Sequence, residues 1–224
     1  MKKQFMDGAR VSAPVCLGVI PVGISFGLLA VQAGFKGIQA VLMSVFVMAG
    51  SSQLMAVGMI GQGAAIGTIV IATFFINLRH TVMSSSVMSR LRETPLSHKL
   101  LGAFALCDES FAIFSLSGKQ SVSFLLGTNT ALYATWVISS AIGCVINQFL
   151  PEIIVNSFGI AFYAAFLVML IPSVSKNGRL LLLVCLTAVI NTLLQLFLPA
   201  SWAVIISMVL GAAIGTGLIE MDME

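Results

Sequence analysis

The sequence predicts an all-α fold, a polytopic helical membrane bundle of six to eight segments, with residues 1–224 forming one integral membrane domain. Three observations predict it. Only 8% of residues are charged, eleven Lys or Arg and eight Asp or Glu, against roughly 25% in soluble domains. Hydrophobic residues make up 58%, more than a soluble chain of this length can bury. Charge-free runs cover 11–35, 37–78, 120–151, 153–175 and 180–219, and one helical span needs about 20 apolar residues.

Dividing those runs gives segments at about 14–34, 38–60, 64–88, 127–150, 155–172, 180–198 and 201–219. A further apolar segment, 100–118, carries Asp108 and Glu109. A membrane β-barrel would alternate in segments of about ten residues, and Leu180 to Leu183 does not alternate. The N-terminus does not read as a cleavable signal, because its first apolar run is long and holds Pro14 and Pro21. The longest polar stretch, Arg90 to Lys99, leaves no room for a water-exposed catalytic domain. The net charge of +3 sits mostly in loops and suggests no nucleic-acid partner. Cys16, Cys107, Cys144 and Cys185 all lie in apolar segments and fit no zinc or redox spacing. Two histidines, one of them His98 in a loop, are too few for a metal triad. No metal or cofactor is expected, and neither is an enzyme.

Basic residues concentrate at Lys2, Lys3 and Arg10, at Arg90, Arg92 and Lys99, and at Lys176 and Arg179. The positive-inside rule places all three groups in the cytoplasm. Eight full crossings would put 90–99 outside. The conflict disappears if 64–88 and 100–118 each enter and leave by one face.

The first segment holds two prolines and three glycines between Pro14 and Gly27. Each internal Pro removes a backbone hydrogen bond, and broken spans mark substrate sites in transporters. A break near Pro21 is one reading, with Pro21, Gly23, Phe26 and Gly27 beside the substrate. Close packing through the Gly23–Gly27 face is the other. The next run has a polar island, Gly50-Ser51-Ser52-Gln53, and Gln53 at mid-span needs a partner or a cavity. Gly63-Ala-Ala-Ile-Gly-Thr68 recurs as Gly211-Ala-Ala-Ile-Gly-Thr216, read as two packing faces.

In the third segment Thr73, Asn77, Thr81 and Ser84 make a polar face, beside Arg79 and His80. An ion at this depth costs at least about 2.5–3.5 kcal/mol, so pairing is expected. Arg79 can neutralise one of Asp108 and Glu109. The other, with His80 near it, holds a proton more readily once desolvated, as a proton-coupled carrier requires. Asp108, with the shorter side chain, is the expected ion-pair partner, and Glu109 with His80 the expected proton carrier. A pair that only locks two segments together is the structural alternative. Thr187, Asn191 and Gln195 form a softer stripe, for interhelical bonding or a polar cavity.

These residues carry a resemblance. Pro21-Val-Gly23 to Phe26-Gly27, Ala49 to Gln53, Asn77-Leu-Arg-His80 and Asp108-Glu109 resemble the AzlC-like family of branched-chain amino acid permeases, large subunits of bacterial two-component exporters. Cys107 stands where a Thr is expected. The resemblance implies a multi-pass protein of the bacterial inner membrane. It implies export of valine, leucine, isoleucine and in some members methionine, driven by proton antiport. It also implies a small AzlD-like membrane subunit as partner. Ser51, Ser52, Gln53, Asn77 and Asn191 join the first-segment residues as substrate-binding candidates. Two alternatives remain at this level: a structural membrane subunit without a site of its own, and an amino acid channel.

Overall fold

The computed structural model describes residues 1–91, 94–118, 121–147, 149, 167, 171, 174–175 and 177–220. The expected segment 155–172 lies outside them, apart from Leu167 and Ile171. The described helices are α1 (Lys2–Gln32), α2 (Gly37–Phe46), α3 (Gly50–Gly61), α4 (Ile66–Arg90), α5 (Leu96–Phe104), α6 (Asp108–Leu116), α7 (Val122–Ile146), α8 (Gly178–Gln195) and α9 (Ala200–Glu220). Four of them, α1, α4, α7 and α8, are long and apolar enough to cross a membrane.

The break expected near Pro21 is not there, because α1 runs unbroken through Pro14 and Pro21. Membrane helices tolerate proline where neighbouring helices and hydroxyl side chains support the backbone. Here α7 flanks α1 along its length, and Ser12 and Ser25 hydroxyls donate to the carbonyls of Gly8 and Pro21, each at 2.8 Å.

The close contacts fix direction. Gly8 lies against Phe124 and Thr128, Gly23 against Ser139, and Gly27 against Ser140 and Cys144. Helices α1 and α7 therefore run parallel. Helix α4 runs against them: near its C-terminal end Val87 and Leu91 cluster with Phe114, Phe124 and Leu125, where α7 begins. An unbroken 25-residue helix is about 37 Å long, more than the roughly 30 Å of hydrocarbon. The 64–88 segment is thus a full span, and the re-entrant alternative does not hold for it.

The segment before it re-enters instead. Gly37 lies against Cys144 at the far end of α7. Ser44 meets the Ser140 hydroxyl at 2.9 Å, and Tyr133 donates to the Val45 carbonyl at 2.8 Å. After a break at 47–49, Gly50 packs on Trp136 near the middle of α7, and Gly61 returns to Ala33 at the end of α1. Helices of ten and twelve residues measure about 15–18 Å, half a bilayer each. Gly34 and Gly63, at φ 92° and 72°, make the left-handed turns that enter and leave this hairpin.

Helices α5 and α6 mirror this from the opposite face. Gly102 sits on Leu125, and the Phe104 ring lies 6.2 Å from that of Tyr133, near the middle of α7. The chain breaks at 105–107 and returns through α6, where Arg90 donates to the Ser115 carbonyl at 3.3 Å. The 100–118 segment is thus two half-length helices joined at a break, as the re-entrant alternative has it. Phe46 and Phe104, Ala49 and Cys107, and Ser52 and Ser110 stand at one common sequence separation. In both hairpins that serine donates back to the residue before the helix, Ser52 to Ala49 at 2.9 Å and Ser110 to Cys107 at 3.1 Å. A span plus a re-entrant hairpin thus occurs twice, in opposite orientation.

Helices α8 and α9 form an antiparallel pair. Gly211 packs on Thr187 and Gly215 on Leu183, so the second hexapeptide is a packing face. The first is not: Gly63 makes a turn and Gly67 faces open space. Ile205 of α9 docks on Ala72 of α4 and Met59 of α3.

Lys2, Lys3, Arg10, Arg90 and Lys99 now lie on one face and Lys36 on the other, which makes the first face cytoplasmic by the positive-inside rule. In a cysteine-free background, a cysteine at Ser97 is expected to resist impermeant thiol reagents in intact cells and to react in inverted vesicles. Labelling from outside would overturn this topology.

Candidate functional site at the hairpin tips

Arg79 lies near the middle of α4, where the two hairpin tips meet. Its Nη2 donates to the Ser51 hydroxyl in the first turn of α3. The same nitrogen lies 2.9 Å from Asp108 Oδ2 in the first turn of α6. One guanidinium thus joins both tips at mid-depth. Asp108 and Glu109 occupy the N-terminal turn of α6, where the helix dipole favours negative charge. His80 sits against the Leu106 backbone at the second break, with Asp108 and Glu109 close enough to act on it electrostatically.

The site is not fully satisfied. Asn77 Oδ1, Arg79 Nε and His80 Nε2 are buried without hydrogen-bond partners, and a group left in that state costs roughly 1–3 kcal/mol. The Arg79 and Asp108 side chains keep 38% and 32% of their surface exposed. Charges at this depth do not face acyl chains cheaply, so the exposed side of the pair calls for a polar neighbour. Among the described residues, no three His, Cys, Asp or Glu side chains cluster in a way that could hold a metal ion.

The other candidates fall elsewhere. Pro21 is exposed on α1, and Gly23 and Gly27 are covered by α7. Phe26 is fully buried with its ring 5.7 Å from Trp136. Gln53 is also fully buried and closed into a network: Trp136 Nε1 donates to its Oε1 at 3.0 Å, and its Nε2 reaches Ser44 at 3.5 Å. Ser52 is buried one residue before it, its hydroxyl turned to the Ala49 carbonyl. Asn191 accepts from Ser207 of α9 at 3.3 Å and belongs to the α8–α9 seam. Ser51, Arg79 and Asp108 are brought into contact, with His80 and Glu109 next to Arg79 and Asp108 in sequence, and Asn77 two residues before Arg79 on α4.

Residues of α7 were missed. Asn129 donates to the Gly102 carbonyl at 2.8 Å, Tyr133 touches both hairpins, Trp136 holds Gln53, and Ser140 binds Ser44. Their spacing, at i, i+4, i+7 and i+11, makes one helical face, and that stripe was available in the sequence. Gln53→Ala is expected to strip Trp136 of its acceptor, at a cost of roughly 1–3 kcal/mol. Thermal unfolding in detergent should register this, while apparent substrate affinity stays unchanged. A weakened affinity at full stability would return Gln53 to the site.

Comparison with known proteins decides the family. A family model described as AzlC protein matches residues 14–150, which span both hairpins. The chain belongs to the AzlC family. It is 32% identical to an uncharacterized membrane protein of Archaeoglobus fulgidus over 79% of this chain and 78% of that one. It is 29% identical to the inner membrane protein YgaZ of Escherichia coli, over 62% and 59% of the two chains. The branched-chain amino acid transport protein AzlC of Bacillus subtilis is 27% identical over 78% and 70%. No solved structure matches. As a member of the AzlC family the chain is an integral membrane protein with a transport role. The AzlC match ends near the close of α7 and leaves α8 and α9 outside it.

Proposed function

We propose that this AzlC-family chain is a secondary transporter that exports the branched-chain amino acids valine, leucine and isoleucine by proton antiport, together with a small AzlD-like membrane subunit. One observation carries the reading: two re-entrant hairpins enter from opposite faces and meet at a charged site in mid-membrane. Inverted repeats with broken helices meeting at the midplane are the architecture of alternating access. A subunit that only holds a complex together has no need of paired tips around a charged site. The branched-chain substrate is supported by the name of the Bacillus subtilis relative.

Glu109 is the proton carrier in this reading. It adjoins Asp108 in sequence, and the ion pair with Arg79 is made by Asp108. In proteoliposomes, Glu109→Gln is expected to abolish accumulation driven by a pH gradient yet retain substrate exchange, because the amide stands in for the protonated acid. Full pH-driven transport by that variant would remove Glu109 from the coupling. Dipeptide-fed cells lacking the chain or the small subunit should retain branched-chain amino acids.

A further inference from the structure

We propose that the Arg79–Asp108 pair is itself the receptor for the substrate's two α-charges. This rests on the transport reading above and says which chemistry that site recognises. An amino acid zwitterion enters between the partners. Its carboxylate takes Asp108's place on Arg79, and its ammonium takes Arg79's place on Asp108.

Three observations support it. First, the guanidinium is half used. Asp108 occupies Nη2 at 2.9 Å, and Nε beside it is buried without a partner. A carboxylate that engages Nε and Nη2 together makes the bidentate contact that arginine favours. Second, the pair is accessible at mid-depth, with about a third of each side chain exposed. Third, the charges balance only for a dipolar ligand. When a zwitterion replaces the internal pair, each ion keeps an opposite neighbour. A ligand with one charge leaves either Arg79 or Asp108 uncompensated, which membrane depth penalises.

The geometry also links binding to motion. Arg79 belongs to the unbroken span α4, and Asp108 to the tip of a hairpin that enters from the cytoplasmic face. A ligand placed between them must push that tip away from α4 by about its own length. Ser51, on the opposite tip, stays within reach of Arg79. Substrate binding therefore loosens one gate and leaves the other attached. Compounds with both α-groups free fit this arrangement. N-acylated amino acids, amino acid amides and simple branched carboxylates do not.

The test is counterflow by the full-length chain in proteoliposomes preloaded with leucine. Leucine, N-acetyl-leucine, leucinamide and 4-methylpentanoate are compared as competitors. Leucine is expected to compete at least tenfold better than each of the others. Asp108→Asn should shrink the penalty for N-acetylation and leave that for amidation; Arg79→Gln should do the reverse. If neither variant folds, the wild-type comparison still decides. A singly charged analogue within twofold of leucine overturns the proposal, as do folded variants with unchanged discrimination. Failure of leucine itself to exchange would instead remove the transport reading.

Discussion

Arg79→Ala is expected to slow transport more than tenfold and to lower the amount of folded protein. The substitution removes the partner of Asp108 and the donor to Ser51 together, so both hairpin tips lose their common tether. Breaking a fully buried ion pair costs roughly 3–5 kcal/mol. The partial exposure of this pair keeps the structural loss below that, and loss of activity should exceed loss of fold. Arg79→Lys restores the charge without the planar fork, so it should recover folding fully and transport only in part. Fluorescence-detected gel filtration separates the two effects from leucine counterflow. Normal export by Arg79→Ala would show that the tips do not need this residue.

Gly27→Leu should be the most damaging change away from the charges. A side chain there runs into the Ser140 carbonyl and the backbone at Gly143 and Cys144. Backbone on a packed helix cannot swing aside, so α1 must separate from α7. Gly143 faces the Ile24 carbonyl in the same way from the other helix. Because α7 also carries Tyr133, Trp136 and Ser140, which hold the first hairpin, the damage should reach the site. Loss of monodisperse protein in detergent is the expected readout. Gly18, with open space around its Cβ position, is the matched control and should accept Leu with little effect. Equal recovery of both variants would show that the seam tolerates separation.

The limits of several membrane segments were legible because lipid enforces them. The basic cluster beginning at Arg90 marks where α4 ends, and the Gly50-Ser-Ser-Gln island marks where α3 begins. Which segments turn back was only half legible. Residues 37–61 are as apolar as a true span, and only the return of Gly61 to Ala33 reveals the hairpin. Pro21 misled, because the loss of one backbone hydrogen bond is a local event and α7 supports the helix from outside it. Arg79 and Asp108 signalled themselves by the cost of charge at depth. Ser51 as their neighbour did not, since the rest of α3 and the turn at 62–65 lie between it and α4 in sequence. The role of α7 was hidden among common polar residues, whose spacing carries meaning only once the hairpins they touch are known.

The opposed hairpins also shape the membrane's electric field. Packed helix insulates much as lipid does, so the barrier thins only where water follows a hairpin to its tip. There the membrane voltage would fall mainly across Ser51, Arg79 and Asp108, not evenly over the full hydrocarbon thickness. A zwitterion crosses this layer without net electrical work. In the proposed antiport, a proton returning the other way on Glu109 would move one charge through most of that drop, worth about 2.3 kcal/mol per 100 mV. Export would then be driven by voltage as well as by pH, and an energised cell would keep exporting when the two sides stand at equal acidity.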